Sequence, residues 1–299
     1  MKDTVDFEKV FTQAVDAEWL REKNVLLDVL RLDLMHTEIS GNKWFKLKYY
    51  LQDAVANGFE TVATFGGAYS NHILAAACAC EKAGIKSIGI IRGEEPDVLS
   101  HTLTRARQYG MQLHFISRAD YKKPEILKEK FSGAYWINEG GYGAEGVEGA
   151  KEIMLLCKAP EKYSHVICAV GTGTMMAGII KSVNYKQFVM GISVMKGNLE
   201  LINNVEALPG NDCAVKQYSI VHDYHFGGYA KHPAALIEFM NQTWKRHHLP
   251  TDIIYTAKTF YAVLEMVINN TIPAGSSVLM IHSGGLQGNL SLPAGTLCF

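Results

Sequence analysis

Two lysines about one helical turn apart are the side chains of this sequence with the clearest chemical potential. The stretch SGNKWFKLKYYL, residues 40–51, places Lys43 and Lys46 directly after a Ser-Gly-Asn cluster that favours a helix start. In a helix the two lysines would share a face. A lysine in a partly buried cleft can lose its proton and act as a nucleophile, and a second lysine nearby lowers its pKa further or holds a phosphate. On spacing alone, such a pair is more typical of a solvated helix face.

A glycine-rich turn in AVGTGTMMAGII, residues 169–180, is the clearest candidate for an anion site. An apolar strand enters this turn and a helix follows it. Backbone N–H groups and the helix dipole would hold a phosphate there, with Thr172 and Thr174 adding hydroxyl donors. The dinucleotide fingerprint fails at Met176, which replaces its third glycine, and the P-loop pattern fails at Ile179, which replaces its lysine. A phosphate is therefore plausible, NAD and ATP are disfavoured, and an ordinary strand-to-helix turn is the alternative.

A second glycine turn, GGAYSNH at residues 66–72, also follows an apolar run. Ser70 and Asn71 would place polar side chains at a helix start, which suits recognition of an anion or a carboxylate. The simpler interpretation is an ordinary helix N-cap. The nucleophile elbow Gly-x-Ser-x-Gly is absent, so a serine hydrolase is disfavoured despite the nearby His72.

Tyr229 in HFGGYAK and Tyr255 in IIYTAK are the aromatic candidates. Tyrosines in such settings are most often core residues, but they also stack on flat cofactors or serve as acid–base groups. Neither a His-Glu-x-x-His nor a Cys-x-x-Cys pattern occurs, so we expect no metal.

The scaffold that must position these residues is predicted to be α/β, because short apolar runs alternate with helical patterns. The predicted strands lie in TVATFGG, KSIGIIRG, MQLHFIS, AYWINEGG, HVICAVGTGT, FVMGISVM and SSVLMIHSGG. The helix NHILAAACACEKAG has Ser70 or Asn71 as its N-cap and Gly84 as its stop. Four of the strands end in glycine turns, at residues 66–67, 140–141, 171–173 and 284–285. Parallel sheets bind ligands at the carboxyl ends of their strands, so we expect the ligand at these turns.

Composition excludes several classes of protein. The 299 residues carry 29 basic and 30 acidic side chains, so a net charge of −1 gives no electrostatic case for nucleic acid or an anionic membrane. No apolar run is long enough to span a membrane, and the N-terminal residues do not form a secretory signal. The six cysteines show no disulfide pattern and favour reduced thiols in the cytoplasm.

Five of these stretches occur in a familiar order. With GNKWFKLKYYL, TFGGAYSNH, AVGTGTMMAG, IIYTAK and HSGG, the chain resembles the fold-type II pyridoxal-phosphate enzymes, and within them the D-cysteine desulfhydrase/1-aminocyclopropane-1-carboxylate (ACC) deaminase family. The resemblance runs from about residue 28 to residue 288. It implies the tryptophan synthase beta-like fold, with two open parallel-sheet domains covered by helices and the cofactor in the cleft between them. The smaller domain would span residues 46–140, and the larger would combine residues 1–45 with 141–299.

The resemblance also implies roles for individual residues. Lys43 is expected to hold pyridoxal phosphate as a Schiff base and then to act as the acid–base group at the substrate α-carbon. Tyr255 would stack on the pyridine ring, and Asn71 would hydrogen-bond the phenolic oxygen. Ser70, Asn71 and His72 would meet the substrate carboxylate or serve proton transfer, with Tyr229 in the same cleft. The remaining cofactor contacts would come from Lys46, Gly171, Thr172, Gly173, Thr174 and Ser283.

Departures from ACC deaminases shape the predicted reaction. Thr256 stands where those enzymes carry a glutamate near the pyridine nitrogen, and Ser283 matches the hydroxyl of desulfhydrase-like members. A hydroxyl near the pyridine nitrogen makes the cofactor a milder electron sink than a glutamate does. A milder sink is sufficient for β-elimination of a good leaving group but is less suited to opening a cyclopropane ring. We therefore expect a lyase or deaminase that releases ammonia and a 2-oxo acid from a small amino acid, with D-cysteine favoured and a homodimer as the assembly.

Other activities stay open at this point. The first alternatives are an ACC deaminase proper and a protein that binds pyridoxal phosphate without turnover. Dehydration of serine or threonine, a β-replacement synthase and a nucleotide-binding protein that uses the Gly171 turn are the others.

Overall fold

The computed structural model describes residues 5–208 and 217–299, and its strands form two separate sheets. The helices are α1 Glu18–Glu22, α2 Asn42–Ala56, α3 Asn71–Ala83, α4 His101–Gln108, α5 Pro124–Lys130, α6 Ala144–Lys151, α7 Thr174–Ser182, α8 Leu201–Glu206, α9 Ala234–His247 and α10 Thr256–Ile268. The predicted α/β fold is confirmed. Within the described ranges, no helix is both long enough and apolar enough to cross a bilayer.

The larger sheet has six strands in the order β1-β2-β10-β7-β8-β9. These strands are β1 Thr12–Ala14, β2 Leu26–Arg31, β7 His165–Val170, β8 Phe188–Ser193, β9 Gln217–Val221 and β10 Ser277–His282. Five of them are parallel, and their buried residues form near-continuous apolar runs because helices cover both faces of the sheet. The edge strand β1 runs antiparallel to β2, which the strand–helix rhythm did not predict.

The smaller sheet has four parallel strands in the order β5-β4-β3-β6. They are β3 Thr61–Gly66, β4 Lys86–Arg92, β5 Gln112–Ile116 and β6 Tyr135–Ile137. All four lie inside residues 46–140, the range predicted for the smaller domain. One core of buried side chains nevertheless runs from this sheet through α2 to the larger sheet. The division into two domains therefore stays a prediction.

Helix α3 shows how local sequence sets an element that borders the cleft. Ser70 is the N-cap, and its Oγ accepts a hydrogen bond from the Ile73 N–H at 3.3 Å. Gly84 ends the helix in the left-handed region at φ 70°, where a residue without Cβ carries no steric penalty. Both predicted boundaries are confirmed.

Two glycines set the position of helix α2. A Cβ at Gly41 would lie 2.0 Å from the carbonyl oxygen of Ser283, and a Cβ at Gly149 would lie 1.7 Å from that of Phe45. Only residues without a side chain allow these approaches. The first contact packs the start of α2 against the loop after β10, and the second packs α6 against α2.

The five cysteines within the described residues form no disulfide bond. Cys78, Cys80, Cys157, Cys168 and Cys298 are free thiols, and the first four are buried. Cys213, the sixth, lies outside the described residues.

Candidate active site

The glycine turns at residues 66–67, 140–141, 171–173 and 284–285 all border one cleft of about 970 Å³. The cleft lies between the two sheets, at the carboxyl ends of strands such as β3 and β7, as parallel-sheet topology predicts. Of the predicted site residues, the following line it: Lys43, Lys46, Ser70, Asn71, His72, Gly171, Thr172, Gly173, Tyr229, Tyr255 and Ser283. Thr174 is the exception, because it is fully buried behind the wall of the cleft.

Two of the three lysines of α2, Lys43 and Lys46, line this cleft. The Nζ of Lys43 donates a hydrogen bond to Asn42 Oδ1 at 2.7 Å and lies 5.7 Å from the centroid of the Tyr255 ring. Burial lowers the pKa of Lys43 to about 8, an effect that the Asp252 carboxylate opposes. Lys46 is buried, and burial together with the charge of Lys43 holds its pKa well below the ordinary value. The interpretation of the pair as a solvated helix face is therefore wrong.

The turn after β7 leads into the start of α7, where an anion could bind. Gly173 has φ 94°, and the hydroxyl oxygens of Thr172 and Thr174 are 3.1 Å apart. No described side chain caps α7, so the first N–H groups of this helix are open to a ligand. A Cβ at Gly171 would lie 3.5 Å from Cε1 of Tyr255, which places the turn beside that ring.

The start of α3 adds polar groups on another side of the cleft. Ser70 uses an oxygen lone pair for its cap, which leaves the hydroxyl proton for a ligand. Asn71 is buried, and its Oδ1 has no hydrogen-bond partner in the parts of the chain that the structure describes. Buried polar atoms are normally paired, so this amide is available to a bound group.

Hydrogen bonding settles the protonation of His72. Thr64 Oγ1 donates to the Ile137 carbonyl oxygen at 2.8 Å, so it accepts from His72 Nε2 at 2.8 Å. The Nδ1 atom is buried and has no partner within the described ranges. Burial first, and then the charges of Lys43 and Lys46, lower the pKa of His72 to about 3. His72 is therefore neutral, with a hydrogen-bond acceptor at Nδ1 that cannot donate.

Tyr255 and Tyr229 meet at the cleft. The Tyr255 hydroxyl donates to the Tyr229 hydroxyl at 3.2 Å, and the two rings pack edge to face at 6.0 Å between centroids. Burial raises the pKa of both phenols, so both are protonated at neutral pH. They are cleft residues rather than core aromatics.

The sequence reasoning missed Asp252, which organises the start of α10. Asp252 is fully buried and accepts hydrogen bonds from the backbone N–H groups of Ile254, Tyr255 and Thr256. The Thr256 hydroxyl also donates to it, at 2.6 Å. An aspartate shortly before the largely apolar stretch TAKTFYAVLEMVI is a capping signal that could have identified it.

Arg92 and Glu139 are further cleft residues that were missed. Arg92 ends β4, and its guanidinium lies 5.5 Å from the centroid of the Tyr121 ring. A charged residue at the carboxyl end of an apolar strand was the available signal for it.

The cleft residues fit pyridoxal phosphate. The group needs an amine for attachment, donors for a phosphate, an aromatic face and a polar partner for its ring oxygen. Lys43, the uncapped start of α7, Tyr255 and the unpaired amide of Asn71 offer these four features around one cavity. In the described ranges, no group of three or more His, Cys, Asp or Glu side chains could hold a metal ion.

Comparison with known proteins agrees with this chemistry. The family model described as "pyridoxal-phosphate dependent enzyme" matches residues 12–284. A Pyrococcus abyssi protein, provisionally named a 1-aminocyclopropane-1-carboxylate deaminase, is 32% identical over 90% of this chain and 87% of its own. The bifunctional mitochondrial D-cysteine desulfhydrase/1-aminocyclopropane-1-carboxylate deaminase of Arabidopsis thaliana is 29% identical over 87% of this chain and 72% of its own. The solved structure of an ACC deaminase homologue superimposes with a TM-score of 0.80 at 24% identity, covering 94% of this chain and 90% of that one, and shares the fold.

Proposed function

The chain belongs to the pyridoxal-phosphate dependent enzyme family, and on that premise we propose that it releases ammonia and a 2-oxo acid from a small amino acid. D-cysteine is the favoured substrate, from which sulfide would also leave. The observation that carries the proposal is the composition of the cleft, which brings together a lysine with a pKa of about 8, an uncapped helix start and a hydrogen-bonded pair of tyrosines.

Cofactor binding is assigned to three sides of the cleft. Lys43 would attach pyridoxal phosphate, and Tyr255 would stack on its ring. The phosphate would be held by Lys46, Gly171, Thr172 and Gly173, with Thr174 supporting the Thr172 hydroxyl from behind. Asn71 and Ser283 would contact the ring substituents and the ring nitrogen. When bound, the group supplies an electron sink for negative charge at the substrate α-carbon.

The remaining residues bind the substrate and move protons. The free Ser70 hydroxyl and the first N–H groups of α3 suit a carboxylate, because both are donors at the positive end of a helix. His72 offers only an acceptor at Nδ1, so its role is with a proton donor of the substrate rather than with the carboxylate. Lys43, once free, is a suitable acid–base group because its pKa lies near neutral pH.

The preference for elimination over ring opening is supported by Thr256. Its hydroxyl is fully buried in hydrogen bonds with Asp252, so no carboxylate or free hydroxyl from this position reaches the cleft. Ser283 lines the cleft instead. ACC deamination is the second candidate, since the Arabidopsis relative carries both activities in its name. The third is a carrier of pyridoxal phosphate without turnover.

The test begins with the visible absorbance of the purified protein with pyridoxal phosphate, before and after borohydride reduction, and with mapping of the labelled peptide. A label on Lys43 supports the assignment, whereas labels scattered over surface lysines contradict it. Sulfide, ammonia and 2-oxo acid are then measured with D-cysteine, L-cysteine, D-serine and ACC. Ammonia from ACC alone would select the second candidate, and no product from any amino acid would select the third.

Three further features belong to the same proposal. We infer a homodimer in the cytoplasm, with the cofactor between a smaller domain of residues 46–140 and a larger one made of the rest. Gel filtration with light scattering tests the dimer. A monomeric holoenzyme with full activity would contradict it.

A further inference from the structure

Lys258 is a buried lysine for which the proposed chemistry has no role. It lies in the first turn of α10, three residues after Tyr255, and none of its surface is exposed. Its Nζ donates hydrogen bonds to the carbonyl oxygens of Gly228 at 2.7 Å and Tyr229 at 3.0 Å. The side chain therefore ties α10 to the backbone that carries Tyr229.

The segment around those carbonyls has a backbone that needs external restraint. Phe226, Gly227 and Gly228 all have positive φ, at 52°, 91° and 132°. Glycines adopt such angles freely, but a bulky residue such as Phe226 is strained there and persists only where its surroundings hold it. The Phe226 ring packs edge to face on Tyr261 at 4.9 Å, which anchors one end of the segment to α10. Lys258 anchors the other end.

Both cleft tyrosines thereby take their positions from the start of α10. Tyr255 is the N-cap residue of this helix, and its N–H is held by the Asp252 carboxylate. Tyr229 comes from a distant part of the chain and depends on Lys258 for its backbone position. The hydroxyl–hydroxyl distance of 3.2 Å is the result of the two restraints.

Charge supports this role at neutral pH. Burial lowers the pKa of Lys258 to about 8, while the Asp252 carboxylate opposes that shift. The side chain is therefore mostly an ammonium at pH 7, and hydrogen bonds from a charged donor to a carbonyl are stronger than neutral ones.

We propose that Lys258 is a positioning residue for the reaction, which holds the Tyr229 hydroxyl against that of Tyr255 without touching the substrate. This inference rests on the proposed function. A lysine that served stability alone would lower turnover independently of Tyr229, whereas a positioning residue would act through it.

A double-mutant cycle tests the inference in the holoenzyme with D-cysteine. The variants are Lys258→Met, Tyr229→Phe and their combination. We expect Lys258→Met to lower kcat about tenfold, and to lower it less than about twofold when Tyr229→Phe is already present, because residues that act through each other are not additive. The dissociation constant of pyridoxal phosphate should stay within about twofold, since Lys43 and the turn after β7 are untouched. If the fold reduction of kcat in the double variant equals the product of the reductions in the two single variants, the inference is overturned.

Hydrogen exchange gives a second measure that does not depend on turnover. In Lys258→Met, amides of residues 225–231 should exchange faster, while those of α3 keep their rates. Lys231→Met is the matched control, because Lys231 lies in the same segment with an exposed side chain. Equal exchange in both variants would overturn the inference.

Lys258→Gln is the variant to use if Lys258→Met fails to fold. Glutamine keeps an amide donor, so amide exchange of residues 225–231 should rise only moderately above the wild-type rate, and kcat should fall by less than the roughly tenfold loss expected for Lys258→Met. If Lys258→Gln matches wild type in both exchange and kcat, the charge and reach of the lysine are unnecessary and the inference fails. Absence of turnover in wild type would refute the proposed function, and the exchange result would still decide whether Lys258 holds the segment.

Discussion

Helices α2 and α10 each bury a lysine close to their N-terminus, Lys46 and Lys258. The two lysines differ in whether groups around them compensate a positive charge. Lys258 has two carbonyl acceptors, and the Asp252 carboxylate opposes the loss of its charge. Lys46 has no hydrogen bond from its Nζ within the described ranges, and its charged neighbour is another lysine, Lys43. A buried charge without a partner is costly. The difference indicates that the charged groups at the start of α10 are paired within the protein, whereas the start of α2 could accept an anionic ligand.

The same contrast holds for neutral polar groups. At α10, the hydroxyl of Thr256 and both carboxylate oxygens of Asp252 are paired. At α3, one atom of the Asn71 amide and one of the His72 ring have no partner among the described residues. Unpaired buried groups are rare in folded proteins and often mark functional sites. They converge here on one cleft.

The largest expected effect is that of Lys43→Ala, which removes the amine proposed to attach the cofactor. Turnover of D-cysteine should fall by about 10³-fold or more, because both the nucleophile and the acid–base group are lost. Lys48→Ala is the control, since Lys48 lies on the same helix and pairs with Glu152. Comparable losses in the two variants would refute the assignment of Lys43.

Lys46→Met should weaken binding of the cofactor without lowering the stability of the fold. The dissociation constant of pyridoxal phosphate, measured by fluorescence titration, should rise about 10- to 100-fold, because a charged hydrogen bond contributes about 1.5–3 kcal/mol. An unchanged affinity would mean that Lys46 does not meet the phosphate.

The two buried lysines should differ in unfolding of the cofactor-free protein. Lys258→Met removes two hydrogen bonds and should lower the free energy of unfolding by about 1–3 kcal/mol in urea, because the Tyr229 carbonyl loses this donor while the Gly228 carbonyl keeps only the Lys231 N–H. Lys46→Met removes a buried amine whose charged form is disfavoured and should leave stability unchanged or raised. Equal destabilisation by both variants would remove the contrast between α2 and α10.

The pH dependence of cofactor attachment is the most modest effect. Neutral amine is the reactive form, so the rate rises with pH until Lys43 is deprotonated. Because the pKa of Lys43 is about 8, the rate should level off above pH 8. With the ordinary lysine pKa of 10.5, the rate would continue to rise up to that pH. Stopped-flow absorbance between pH 6.5 and 10 measures this. A rate that still rises in proportion to hydroxide at pH 9.5 would contradict the lowered pKa.

Much of the fold and of the cleft lining could be predicted from sequence. The strands that end in glycine turns, the caps of α3 and the meeting of the turns at one cleft follow from local patterns and from parallel-sheet geometry. The antiparallel strand β1 escaped prediction because three residues carry too little periodicity. Asp252 escaped because the helix that it caps was not predicted, and Lys258 escaped because nothing in its neighbourhood distinguishes a buried charge from an exposed one.

The sequence by itself determined the order of the elements, the glycine turns and the set of side chains available to the cleft, because backbone preferences and periodicity act over a few neighbouring residues. Only the tertiary structure decided which of those side chains are charged, paired or free. Lys258 reaches a carbonyl 30 residues away, and the protonation of His72 depends on a hydrogen bond between Thr64 and Ile137, which are 73 residues apart. Burial and pairing are set by such distant contacts, and they determine pKa and hydrogen-bonding capacity.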